Sequence, residues 1–98
     1  MKNYDKASWH IDGGENTSEV VFRFKEIFEF LKEKDLLTPD GEETYEFGMD
    51  SSVSLNSTMV NEEGQDFLDQ YYDMIIDEDI QNMKEKLISM YQSFQKEK

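Results

Sequence analysis

The sequence predicts an all-α fold, a compact single domain of three to four helices. Three observations carry that prediction. Apolar residues recur at helical spacing in three segments, whereas two-residue alternation is confined to one short stretch. At 98 residues the chain fits a single domain. It holds 37% apolar residues and no cysteine, so its core has to form without disulfides.

Residues 1–16 read as an irregular N-terminal arm. Trp9 and Ile11 are its expected anchors, and Gly13-Gly14 ends any regular element. Residues 17–35 form the clearest helix, with Asn16, Thr17 or Ser18 as its cap. Val20, Phe24, Ile27, Phe28 and Leu31 make one buried stripe, and charged residues cover the rest. Phe22 and Phe30 lie off that stripe, which predicts a central helix with neighbours on more than one side.

Thr38 suits an N-cap and Pro39 the first position of a second helix over about 39–47. Its acidic first turn complements the helix dipole. The alternative is α+β, with a small hairpin at about 44–56. There Tyr45, Phe47 and Met49 alternate, as do Val53 and Leu55, around Asp50-Ser51-Ser52.

A third helix is predicted over 61–76, with Phe67, Leu68, Tyr71, Met74 and Ile75 facing inward. The apolar phase slips at 76–79, where Asp77 or Asp79 can cap a last helix over about 80–95. That helix carries Ile80, Met83, Leu87, Met90 and Phe94 at 3-4-3-4 spacing. Such a stripe serves equally for burial within the monomer or for a homodimer through 80–95. The segment Leu37–Glu43 also echoes Val60–Asp66: apolar, cap, two residues, glycine, polar, acid. A shared way of starting a helix explains the echo.

The charge is strongly asymmetric. Residues 36–79 hold thirteen acids and no base, while the remainder holds ten of each. A net charge of −13 repels nucleic-acid phosphates and anionic lipid, so neither nucleic acid nor membrane is an expected partner. The N-terminus lacks the apolar run of a signal peptide, and no apolar run is long enough to span a bilayer. Together with the missing cysteine this fits a cytoplasmic location.

Within the acidic segment Glu62, Asp66, Asp69 and Asp73 follow spacings of 4, 3 and 4, which stack them on one helix face. Each like-charge pair costs about 0.2–0.5 kcal/mol in a bare helix, and no lysine in the helix relieves it. Asp66, Asp69, Asp73 and Asp77 are therefore the candidate partner-binding residues. Tyr72 borders the stripe as a candidate anchor, because interfaces combine buried aromatics with a charged rim. The predicted function is a small acidic module that docks this face onto a basic protein partner. In size, acidity and lack of cysteine the chain resembles the bacterial immunity proteins that neutralise nuclease toxins. The resemblance lies in gross character and carries no residue roles.

The alternative is a divalent-cation-dependent or catalytic protein using His10, Asp12 and the Asp77–Asp79 turn. One histidine and one aspartate make half a metal or catalytic site, and no second histidine exists to complete it. Asp50-Ser51-Ser52-Val53-Ser54 begins like a calcium loop, but Leu55 and Asn61 stand where glycine and glutamate are needed. The glycines before Asn16 lack the spacing and lysine of a phosphate loop. No cofactor, metal or catalytic residue is expected.

Overall fold

A computed structural model describes residues 1–76 and 81–97. Among them lie five helices and a two-stranded antiparallel sheet, so the fold is mostly helical rather than all-α. The arm is where expectation and structure part. Its residues form strand β1 (Asn3–Lys6) and helix α1 (Ala7–Asp12). Helices α2 (Thr17–Glu33) and α3 (Pro39–Phe47) follow, then strand β2 (Ser54–Asn56), then α4 (Glu62–Ile76) and α5 (Met83–Lys96).

β2 falls inside the stretch that alternates, but it pairs with the arm, not with residues 45–49. Asn3 faces Asn56, Asp5 faces Leu55 and Lys6 faces Ser54. The register slips between Asn3 and Asp5, so β1 carries one extra residue. Such a bulge re-aims side chains, and here Asp5, next in the strand, is only 3% exposed. Ala7 then donates its N–H to the Val53 carbonyl, carrying the pairing into the first turn of α1. Ala7 and Ile11, four apart, face the core. Trp9 is 53% exposed and lies under the Lys6 ammonium, so Ala7 takes the anchoring role expected of Trp9.

Asn16 caps α2 by accepting from the Glu19 N–H. The predicted stripe is buried, and Phe30 joins it against Phe67 and Tyr91. α2 touches α1, α3 and α5, the central position its two off-stripe aromatics predict; Phe22, however, stays 47% exposed. In α4 the inward face is Gly64, Phe67, Leu68, Tyr71, Tyr72 and Ile75. Tyr72 replaces Met74, which is 51% exposed, because the true stripe runs through 64, 68, 72 and 75. α5 buries Met83, Leu87, Tyr91 and Phe94, of which the last two meet Phe67 edge-on. Met83, Leu87 and Phe94 of the predicted stripe are buried within the chain, and Tyr91 takes the place of Met90, which is only partly buried. Ile80 lies outside the described residues.

The sequence echo has a spatial counterpart. Leu37 and Val60 form an antiparallel bridge between the starts of α3 and α4. Thr38 caps the Gly41 N–H while its backbone N–H and hydroxyl bond the carbonyls of Met59 and Thr58. Asn61 caps the Gly64 N–H while its backbone N–H and amide bond the carbonyls of Leu36 and Asp35. Each helix start thus braces the other about an approximate two-fold. The two glycines are required by close approach: a Cβ on Gly41 would run into the Met59 carbonyl, and one on Gly64 would sit 2.9 Å from the Leu36 carbonyl.

Candidate functional site

Three features of the surface and its underside carry chemistry. The first is the outer face of α4. Asp66, Asp69 and Asp73 are all exposed there, on one side of the helix. Tyr72 is not with them. It is 5% exposed and turned into the core beneath the arm, with its ring 6.5 Å from that of Tyr4. Asp77 and the Asp77–Asp79 turn lie outside the described residues.

The helix supplies no cation to this face, but the arm does. Lys2 Nζ lies 2.7 Å from Asp69 Oδ1 and 5.1 Å from the centre of the Tyr4 ring. Burial pushes the Tyr4 phenol up to about 12, and the charge of Asp69, its hydrogen bond and the charge of Asp66 add to the effect. Tyr4 therefore stays protonated beside the acidic face. An exposed pair like Lys2–Asp69 contributes about 0–1 kcal/mol, enough to offset the one or two like-charge repulsions it neighbours.

The second feature lies under the arm. Asp5 accepts from the Tyr72 hydroxyl at 2.6 Å, from His10 Nε2 at 2.8 Å and from the Lys6 N–H at 2.8 Å. His10 Nδ1 lies 2.8 Å from Glu15, and Glu15 in turn pairs with Arg23. One chain of contacts thus runs Tyr72–Asp5–His10–Glu15–Arg23, tying the arm to α2 and α4. Burial disfavours a charged His10, but the hydrogen bonds to Asp5 and Glu15 outweigh it and raise the imidazole above its ordinary value. Burial, then the Asp5 charge, holds the Tyr72 phenol well above its usual range.

This network decides what His10 can do. It pairs with Asp5 and Glu15, not with Asp12. Both ring nitrogens lie 2.8 Å from carboxylate oxygens, so the protonated ring donates to both and is tied into the network. The cavity beside it, bounded by Asp5, His10, Arg23, Tyr72 and Met83, is about 10 Å³, at the threshold for one water. Among the described residues no three His, Asp or Glu side chains converge to hold a metal ion. The arrangement is a clasp that fixes the arm.

The third feature is the C-terminal end of α3. Phe47 is 84% exposed, the most exposed large aromatic among the described residues. It borders a depression of about 500 Å³ whose ionisable lining residues are Asp40, Glu43 and Asp50. A second hollow of about 440 Å³ lies between α2 and α3, with Phe22, Tyr45 and Met49 at its apolar wall and Glu26, Glu29 and Glu46 around it.

Sequence reasoning missed the clasp and the exposed Phe47. The clasp joins positions 5, 10, 15, 23 and 72, whose spacing follows no helical or strand period. Phe47 left a signal: Tyr45 and Phe47 are two apart and cannot share a helix face, so a helix over 39–47 must expose one of them. No helix among the described residues is long and apolar enough to cross a membrane. Compared with known proteins, the chain matches no family model, no curated protein and no solved structure.

Proposed function

We propose that the protein is a binding module that docks a carboxylate-rich surface onto a basic protein partner, as an inhibitor or immunity-type protein does. The observation that carries this reading is the exposed row Asp66, Asp69 and Asp73 on α4, within a segment of thirteen acids and no base. A face of one sign, held on a rigid helix, steers an oppositely charged surface into register and rejects polyanions. Tyr72 supports that face from beneath by fixing the arm, and Lys2 partly tempers it at Asp69. Asp66 and Asp73 are then the residues left for a partner.

The test is paired affinity capture from the native cell with wild-type protein and the Asp66→Lys/Asp73→Lys variant. The expected result is one or more basic proteins retained by the wild type and lost by the variant, with unchanged circular dichroism. Retention of the same basic proteins by both would refute the role of this face.

A further inference from the structure

We propose that the N-terminal arm is a pH-sensitive latch, closed while His10 is protonated and loosened when the imidazole gives up its proton. The attachment of the arm is largely polar. Among residues 1–12 only Asp5 and Ala7 are buried, and alanine is the smallest apolar side chain of the core. Tyr4 and Ile11 add partly buried surface. An element with so little apolar anchorage belongs to the low-stability end of a fold, where opening is local. Its junction with α2 is Gly13-Gly14, and a Cβ on Gly14 would meet nothing within 4 Å, so the chain has room to hinge there.

The clasp accepts only one charge state of the ring. His10 Nε2 lies 2.8 Å from the Asp5 carboxylate and Nδ1 lies 2.8 Å from that of Glu15. A charged imidazole donates to both. A neutral one has a single N–H, so one nitrogen must turn its lone pair onto a carboxylate oxygen. The charge matters as much as the bond. Among the described residues His10 is the ion-pair partner of Asp5, while Arg23 is engaged with Glu15. Without the imidazolium, Asp5 is a buried carboxylate with no counter-charge, a costly state that β1 relieves by lifting Asp5 into water.

The groups around the ring leave the switch to His10. β1 presents Asp5, the α1–α2 junction presents Glu15, and α2 presents Arg23 and the edge of Phe24. α4 presents the Tyr72 hydroxyl, which also feels the Asp73 charge, and α5 the apolar Met83. Arginine keeps its charge, and Tyr72 is held well above its usual range. His10 is the only histidine of a chain without cysteine, and histidine is the side chain whose ordinary range falls near neutrality. Lys2 belongs to the same arm, so loosening it withdraws the one cation paired with Asp69 on the face of α4. The latch stands whether or not that face docks a partner.

The experiment follows the full chain between about pH 6 and 8.5, the range that brackets a raised histidine. Proton NMR of the His10 ring reports its charge. Time-resolved anisotropy of Trp9, the single tryptophan and part of α1, reports the mobility of the arm. The ring is expected to titrate above its ordinary value near 6.5, and the anisotropy to fall with the same midpoint while the helical circular dichroism persists. The Ala7 and Ser57 amides, which bond Val53 and Lys2, should lose about tenfold in exchange protection above that midpoint, the scale of one hydrogen bond to a charged group. The Asp69 amide should shift with them as Lys2 leaves. His10→Gln should show a mobile arm at every pH and no transition. Glu15→Gln, a milder change at a more exposed side chain, should lower both midpoints together and carries the test where His10→Gln does not fold. A ring that keeps its proton throughout, or an anisotropy that stays flat while the ring titrates, would overturn the latch. So would a transition that persists in His10→Gln, midpoints that separate in Glu15→Gln, or loss of the whole dichroism together with the arm.

Discussion

Replacing Asp5 by alanine tests whether the clasp under the arm holds the fold together. Asp5 is 3% exposed and accepts from Tyr72, His10 and the Lys6 backbone. Its removal leaves the Tyr72 hydroxyl buried without its acceptor and strips His10 of one of its two carboxylates. A hydrogen bond to a charged group contributes about 1.5–3 kcal/mol, and breaking a buried charged pair costs about 3–5 kcal/mol. Asp5→Ala is therefore expected to destabilise the protein by about 3–5 kcal/mol, a large share of the roughly 5–15 kcal/mol typical of a domain. At this length each kcal/mol moves the melting temperature by about 4–8 °C, so a fall of at least about 12 °C is expected. Tyr72→Phe alone should cost about 1.5–3 kcal/mol. The double variant should cost less than the sum by about 1–2 kcal/mol, because the hydroxyl has nothing left to lose once Asp5 is gone. Urea denaturation followed by circular dichroism measures all four corners of the cycle. Additive single effects, or an Asp5→Ala cost below about 1 kcal/mol, would refute the reasoning.

Two further outcomes follow from the same geometry. Gly41→Ala would raise intrinsic helix propensity by about 1 kcal/mol, yet its new methyl meets the Met59 carbonyl, so a net loss of about 1–3 kcal/mol is expected in chemical denaturation; a stabilised variant would contradict the cross-brace. The stability gap between wild type and His10→Gln should depend on pH. His10 is raised in the fold, so its contribution is full below its unfolded value near 6.5 and is lost as pH rises through the folded value. Glu15 is lowered, chiefly by its hydrogen bond to Arg23, so its contribution is full above its unfolded value near 4.5 and is lost as pH falls through the folded one. The gap should peak between about pH 4.5 and 6.5 and shrink as pH rises through the folded value of His10; a gap that widens with pH above about 6.5 would exclude this account.

Helices α2 and α4 were legible because each carries its own start signal and a single apolar stripe, α3 because of its start signal alone, and α5 by its stripe alone, its start falling at Met83 with no side-chain cap. Asn16, Thr38 and Asn61 cap α2, α3 and α4, and each is a residue type whose short side chain reaches a free N–H in the first turn. The arm was not legible because its structure is borrowed. Asn3–Lys6 has no two-residue alternation of its own, and it becomes a strand only because Ser54–Asn56 presents an edge nearly fifty residues later. Local propensity cannot report a partner so far away. The same holds for the clasp. Asp5 reads as one more surface acid until the bulge turns it inward, and Tyr72 reads as a border residue until the arm covers it. The stripe of α4 failed at Met74 for a smaller reason. Met74 and Tyr72 flank the same apolar row, and the row leans toward whichever side the arm occupies.

The arm also changes the meaning of the charge asymmetry. In sequence, thirteen uncompensated acids stand between residues 36 and 79. In space they divide by what answers them. Asp40, Glu42, Glu62 and Glu63 occupy first turns, where the helix dipole favours negative charge. Glu46 has Lys32 and Asp69 has Lys2, both cations from outside the segment. Asp50 accepts from the Ser52 N–H and hydroxyl across its own turn, which holds its carboxyl below the ordinary range. Among the described carboxylates of the segment, Glu43, Asp66 and Asp73 have none of these. Two of them lie on the outer face of α4, where the docking face is proposed, and the third lines the depression beside Phe47. On the proposed docking reading, Asp66 and Asp73, which face no cation among the described residues, are the carboxylates of α4 with most to offer a basic partner.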